Sequence, residues 1–112
     1  MVPVVHNCTF CNIAGRKMPA SIKYEDDWVL GFENILRWTP IMLLIIPKNH
    51  MTQAQMWSSE SISKVGSVAV TLGADLCPHG FRILSNLGDH ALQTQEHAHL
   101  HLIGGIPLGP YI

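Results

Sequence analysis

Charge is scarce in this 112-residue sequence: 13% of positions are Asp, Glu, Lys or Arg, and they sum to a net charge of −1. No run of Lys or Arg occurs, so the clustered basic footprint of a nucleic-acid-binding protein is missing. Long hydrophobic runs are missing too. The longest, Ile41 to Ile46, is far short of the ~20 residues that cross a bilayer as a helix. Met1 to Cys8 has neither a charged leader nor a long apolar stretch, so no secretory signal is expected. Cysteine is limited to three residues, one of them unpaired on any scheme, which fits a reducing compartment better than a disulfide scaffold. These absences predict a cytoplasmic protein with no nucleic-acid or membrane partner.

What is present is apolar: 47% of the residues, enough for one packed core, and the length predicts a single domain over 1–112. So little charge to cover a small surface predicts self-association as a homodimer. "IKYEDDWVLGFEN" reads as a hairpin turning at Asp26-Asp27, after one helical turn at Phe10 to Ala14. The continuous apolar run Ile41 to Pro47 reads as a strand buried on both faces, central in its sheet. Ile62, Val65, Val68, Ala69, Leu72 and Leu76 recur at three- and four-residue steps. They predict one long helix, capped by Ser58 or Ser59 with Glu60 in its first turn and ended by Cys77-Pro78. "GFRILSN" (Gly80 to Asn86) and the segment from His97 complete five strands. The expected class is α+β: a five-stranded, mostly antiparallel sheet with one long and one short helix.

Three of the seven histidines fall at alternate positions in "QEHAHLHLIGG". Alternate residues of a strand share a face, so His97, His99 and His101 form a row while Ala98, Leu100 and Leu102 turn into the core. A row of polar residues facing solvent would explain the alternation but not the choice of histidine. Cys8-x-x-Cys11 is a redox pair, half of a zinc site, or two small buried residues with no shared role. With His50 and His97 it could complete a Cys2His2 zinc site stapling the N-terminal loop to the sheet.

"HAHLHLI" (His97 to Ile103) resembles the signature of the histidine-triad (HIT) family of nucleotidyl hydrolases and transferases. The likeness extends collinearly through "CTFCNIAGRKMPASIKYEDDWVLGFEN", "IIPKNH" and "RILSN", and its pattern is that of the zinc-containing nucleoside phosphoramidate hydrolases. The resemblance implies an α+β homodimer and a covalent mechanism at the α-phosphorus of a purine nucleoside phosphoramidate or dinucleotide polyphosphate. By position, His99 would be the nucleophile, with His101 and Asn86 on the phosphate oxygens and Gln93 and Thr94 holding the phosphate and aiding the leaving group. Phe10, Ile13, Phe32 and Ile35 would line the base pocket, with Asn34 at the ribose. Cys8, Cys11, His50 and His97 would hold a structural zinc. A neutral imidazole, with an ordinary pKa of ~6.5, is a competent nucleophile near neutral pH.

Four positions depart from the family pattern. Met42 stands where many members carry histidine, Asn34 where an acidic residue meets the ribose, Leu92 where glycine is usual, and Glu96 where an apolar residue precedes the triad. They motivate an alternative, a zinc-stapled nucleotide-binding or interaction protein with reduced or no catalysis. A metalloenzyme with its metal on the strand histidines is a third reading, although no pattern of Asp or Glu supplies supporting carboxylates.

Overall fold

A computed structural model describes residues 7–110; the leader through His6, expected to carry no targeting signal, lies outside them. Five strands form one antiparallel sheet in the order β1-β2-β3-β5-β4. They are β1 (Ile22–Glu25), β2 (Val29–Glu33), β3 (Ile41–Pro47), β4 (Phe81–Leu84) and β5 (Leu100–Gly104). The hairpin turns where its acidic pair predicts: Asp26 Oδ1 accepts from the backbone N–H groups of Trp28 and Val29 at 2.7 and 2.8 Å. β3 is the middle strand, and its alternate residues feed two cores. Leu43 and Ile45 join Val29, Leu100 and Leu102 beneath the helices, while Leu44 and Ile46 join Leu30 and Phe32 on the opposite face. A continuous apolar run is what a strand covered on both sides requires.

Three helices cover the sheet. α1 (Thr9–Ala14) caps the second core with Phe10, Cys11 and Ile13. α2 (Gln53–Trp57) and α3 (Ser61–Leu76) cover the first, to which α3 contributes Val65, Val68 and Ala69. At Gly73 an added Cβ would fall 2.5 Å from the Phe81 ring, so only glycine lets α3 cross β4 this closely.

Three local expectations shift. The long helix starts at Ser61 with Glu60 as its cap residue, because Ser58 already terminates α2 and donates its hydroxyl to Ala54 O. α2 itself was not foreseen, although Thr52-x-x-Gln55 makes a complete capping box at its start. Finally, β5 begins at Leu100 rather than His97. Pro47 has no N–H for a partner strand, its carbonyl is taken by the His97 ring, and the Ala98 N–H turns to Met51 O at 2.8 Å. Beyond β4, Ser85 and Asn86 likewise leave the ladder.

Candidate functional site

The alternation holds without a regular strand. Ala98, Leu100 and Leu102 are buried in the first core, and His97, His99 and His101 turn to the other face. That face is not open: α1 lies across it, and the Phe10 ring meets His97 and His99 edge-on at 5.8 and 5.4 Å. His97 and His99 are 1% and 3% exposed, which excludes a solvated polar row; His101 is half-buried beside His99.

Hydrogen bonds fix which nitrogen each ring offers. A carbonyl oxygen can only accept, so a ring nitrogen at hydrogen-bond distance from one must carry the proton. His97 Nε2 donates to Pro47 O at 2.7 Å, leaving the Nδ1 lone pair free. His99 Nδ1 donates to His97 O at 2.8 Å, leaving the Nε2 lone pair free. Burial holds both rings toward their neutral forms. It pushes His97 down to about 4 against the opposing pull of the Pro47 carbonyl. His99 is lowered by the same cause, partly offset by its bond to the His97 carbonyl. Burial and the neighbouring His99 bring His101 to about 4.

The free Nδ1 of His97 faces the cysteines. It lies 3.3 Å from Cys8 Sγ and 3.5 Å from Cys11 Sγ, and Cys11 Sγ lies 3.5 Å from His50 Nδ1. All four ligand atoms fall within 4.8 Å of one another. A tetrahedron with metal–sulfur bonds of about 2.3 Å and metal–nitrogen bonds of about 2.0 Å has sulfur–nitrogen edges of about 3.5 Å. The donor set therefore fits zinc in identity, spacing and tautomer. Local structure explains the pairing of the cysteines: Cys8 caps α1 and its Sγ accepts from Cys11 N–H, so one short turn brings both sulfurs to one side. Glu96 also finds a place here, with Oε1 3.7 Å from His50 Nε2. That separation exceeds a hydrogen bond, and the carboxylate is 74% exposed.

The other candidates are distributed unevenly. Phe10, Ile13 and Phe32 are buried together, with Phe10 and Phe32 edge-to-face at 5.6 Å. Ile35 is not brought to them; it projects from the β2–β3 turn at 96% exposure. Asn34 Oδ1 accepts from Leu36 N–H at 3.0 Å, so its carbonyl already serves that turn. Met42 is buried in β3. The loop between Gly88 and Gln95 holds itself: Gln93 Oε1 accepts from Gly88 N–H and Gln93 Nε2 donates to Gln95 O, both at 2.9 Å. Both ends of the Gln93 amide are engaged within the loop in this conformation. Leu92 takes the left-handed conformation usual for glycine, and Thr94 is exposed. Asn86 follows β4, half-buried.

Sequence reasoning missed Gln53, the third buried polar side chain beside His97 and His99. Its Oε1 accepts from His99 N–H at 3.1 Å and its Nε2 donates to Asn86 O at 3.2 Å. The Thr52-x-x-Gln55 capping pattern would have located the helix start that carries it.

A profile of the HIT domain matches residues 16–108. A purine nucleoside phosphoramidase of Escherichia coli (strain K12) is 33% identical over 109 residues, covering 92% of this chain and 91% of its own. Among solved structures, a HIT family hydrolase from Clostridium thermocellum Cth-393 superposes with a TM-score of 0.89 at 34% identity, covering 97% of this chain and 99% of that one. A Zn-bound histidine triad family protein from Mycobacterium smegmatis superposes with a TM-score of 0.81 at 31% identity, covering 88% and 75%. Fold, histidine geometry and these likenesses agree: the chain belongs to the histidine-triad (HIT) family and is a HIT-type hydrolase.

Proposed function

We propose that this hydrolase acts at the α-phosphorus of a purine nucleoside phosphoramidate or dinucleotide polyphosphate through a covalent nucleotidyl-His99 intermediate. The observation that carries the reading is the His99 tautomer, with its proton committed to His97 O and its Nε2 lone pair free. With a phosphoramidate, Nε2 attacks phosphorus and the phosphorus–nitrogen bond breaks as the departing amine takes a proton from solvent. Water then attacks phosphorus, the Nε2–phosphorus bond breaks, and nucleoside monophosphate leaves while a proton returns to solvent. Positive charge on the substituted ring is met by the carbonyl that holds Nδ1. His101, Asn86 and Thr94 bind the phosphate oxygens, and Gln93 shapes the loop beside them. Phe10, Ile13 and Phe32 support the base side, with Asn34 at the ribose. The zinc cluster joins α1 to the triad and is structural, with no part in the bond changes.

The assay is a panel of nucleoside phosphoramidates and dinucleotide polyphosphates on zinc-retaining protein, with no further metal ion added. Turnover by the wild type, its loss by several orders of magnitude in His99→Ala, and one acid-trapped nucleotidyl adduct on the peptide bearing His99 support the reading. An adduct on His101, or full turnover in His99→Ala, refutes it.

A homodimer and a cytoplasmic location belong to the same proposal. A groove of about 840 Å³ between α3 and the edge strand β4 exposes Trp57, Val70 and Leu87. A second copy of the chain is the occupant we assign, because an edge strand beside an exposed apolar face suits association with its like. Val70→Glu should then give a monomer by light scattering. No helix among the described residues is long and apolar enough to cross a membrane.

A further inference from the structure

We infer that Gln53 is a positioning residue that sets His99 and Asn86 relative to each other. The inference rests on the reading of His99 as nucleophile and Asn86 as phosphate ligand, and extends it to a side chain outside the triad. Where β5 has not yet begun, the His99 N–H bonds a side chain in place of a strand neighbour. Gln53 Oε1 accepts that N–H, and the same carboxamide donates Nε2–H to Asn86 O. One rigid planar group thus joins the nucleophile's backbone to the backbone of the phosphate ligand, respectively 46 and 33 positions away in sequence.

The setting of Gln53 leaves it little freedom. It is 2% exposed, whereas its helix neighbours Ala54 and Gln55 face solvent. It opens α2 directly after Thr52, whose hydroxyl and backbone are tied to Gln55 by the capping box. The preceding Met51 O holds the Ala98 N–H. Residues 51 and 53 therefore do for residues 98 and 99 what a paired strand would do. A misplacement of reacting groups by ~1 Å can cost ~100-fold in rate, so the group that fixes this distance affects turnover more than ground-state binding.

The test compares wild type, Gln53→Met, Gln53→Asn, Asn86→Ala and the double variant Gln53→Met/Asn86→Ala, with zinc content and thermal unfolding as folding checks. Methionine keeps the volume and removes both bonds; asparagine keeps the amide but is one methylene too short to span both partners. On a purine nucleoside phosphoramidate, Gln53→Met should lose ~10–100-fold in kcat with KM changed by less than about threefold, and Gln53→Asn should not restore it. Because Gln53 acts through Asn86 and His99, the double variant should lose much less than the product of the two single losses. Independently of activity, amide exchange at His99 should be slow in wild type and fast in folded Gln53→Met. A kcat within twofold of wild type in folded Gln53→Met, or unchanged His99 exchange, overturns the inference. Absence of turnover in the wild type overturns the hydrolase reading instead, and the exchange measurement then decides Gln53 alone.

Discussion

Leu92 offers a test in which the usual ranking of two small residues should invert. It sits at φ +59°, ψ +39°, and its side chain is 80% exposed. The left-handed region costs a residue with a Cβ about 1–2 kcal/mol. Leu92→Gly removes that cost. Against it stands the greater freedom of glycine in the unfolded chain, about 0.4–1 kcal/mol. The fifth of the leucine that is buried adds about 0.3–0.6 kcal/mol, taking about 1.5–3 for full burial. The three contributions nearly cancel, leaving Leu92→Gly about 0.4 kcal/mol more stable than wild type. Leu92→Ala keeps the backbone cost and loses the packing, so glycine should exceed alanine by about 0.8 kcal/mol. In helices and strands the order is the reverse. Differential scanning calorimetry should read the gap as about 3 °C in Tm, glycine above alanine. Leu92→Val, β-branched, should melt below both. An alanine variant as stable as the glycine variant would refute the claim that this loop pays a conformational cost at Leu92.

Zinc should be found at about one ion per chain, and stripping it should lower Tm sharply, because a structural Cys2His2 site contributes on the order of 10 kcal/mol; zinc-free protein with unchanged Tm would end that assignment. His50→Ala should reproduce the effect of stripping. Acid should weaken the fold through His101: its pKa of about 4 lies below the ordinary 6.5, so the unfolded chain binds more protons between those values. The stability is present above pH 6.5 and falls as pH drops toward 4, by about 1 kcal/mol at pH 5.5 for this partly exposed group. A urea midpoint constant from pH 7 to 5 would contradict it. On the proposed mechanism the acid limb of kcat/KM should lie below pH 6.5, since burial lowers His99 and keeps its imidazole neutral on acidification; a limb above pH 7 would refute that reading.

The parts of the fold that were legible are those where one physical requirement dominates a stretch of chain. β3 had to be apolar at every position because both faces are covered, and α3 had to place Val65, Val68 and Ala69 on one side. The zinc quartet was legible because sulfur and imidazole at those spacings have few other uses, and the structure brings all four together. α2 was not legible by periodicity, since five residues make barely more than one turn. The late start of β5 was hidden because alternation continues through His97 and His99 while their hydrogen bonds go elsewhere. Ile35 and Gln93 show the limit of position-by-position likeness: side-chain direction and hydrogen-bond occupancy are set by the fold, and neither is written in a motif.

The two buried imidazoles, two residues apart, offer opposite nitrogens because different carbonyl oxygens hold them. Those oxygens belong to the main chain. The acceptor that orients His99 is the peptide oxygen of residue 97, and it persists whatever side chain that residue carries. A lineage could therefore replace the histidine at position 97 and abandon its metal, provided packing kept the backbone in place, and the His99 ring would still point the same way. Loss of zinc and loss of chemistry are separable events in such a site, and the first need not announce the second.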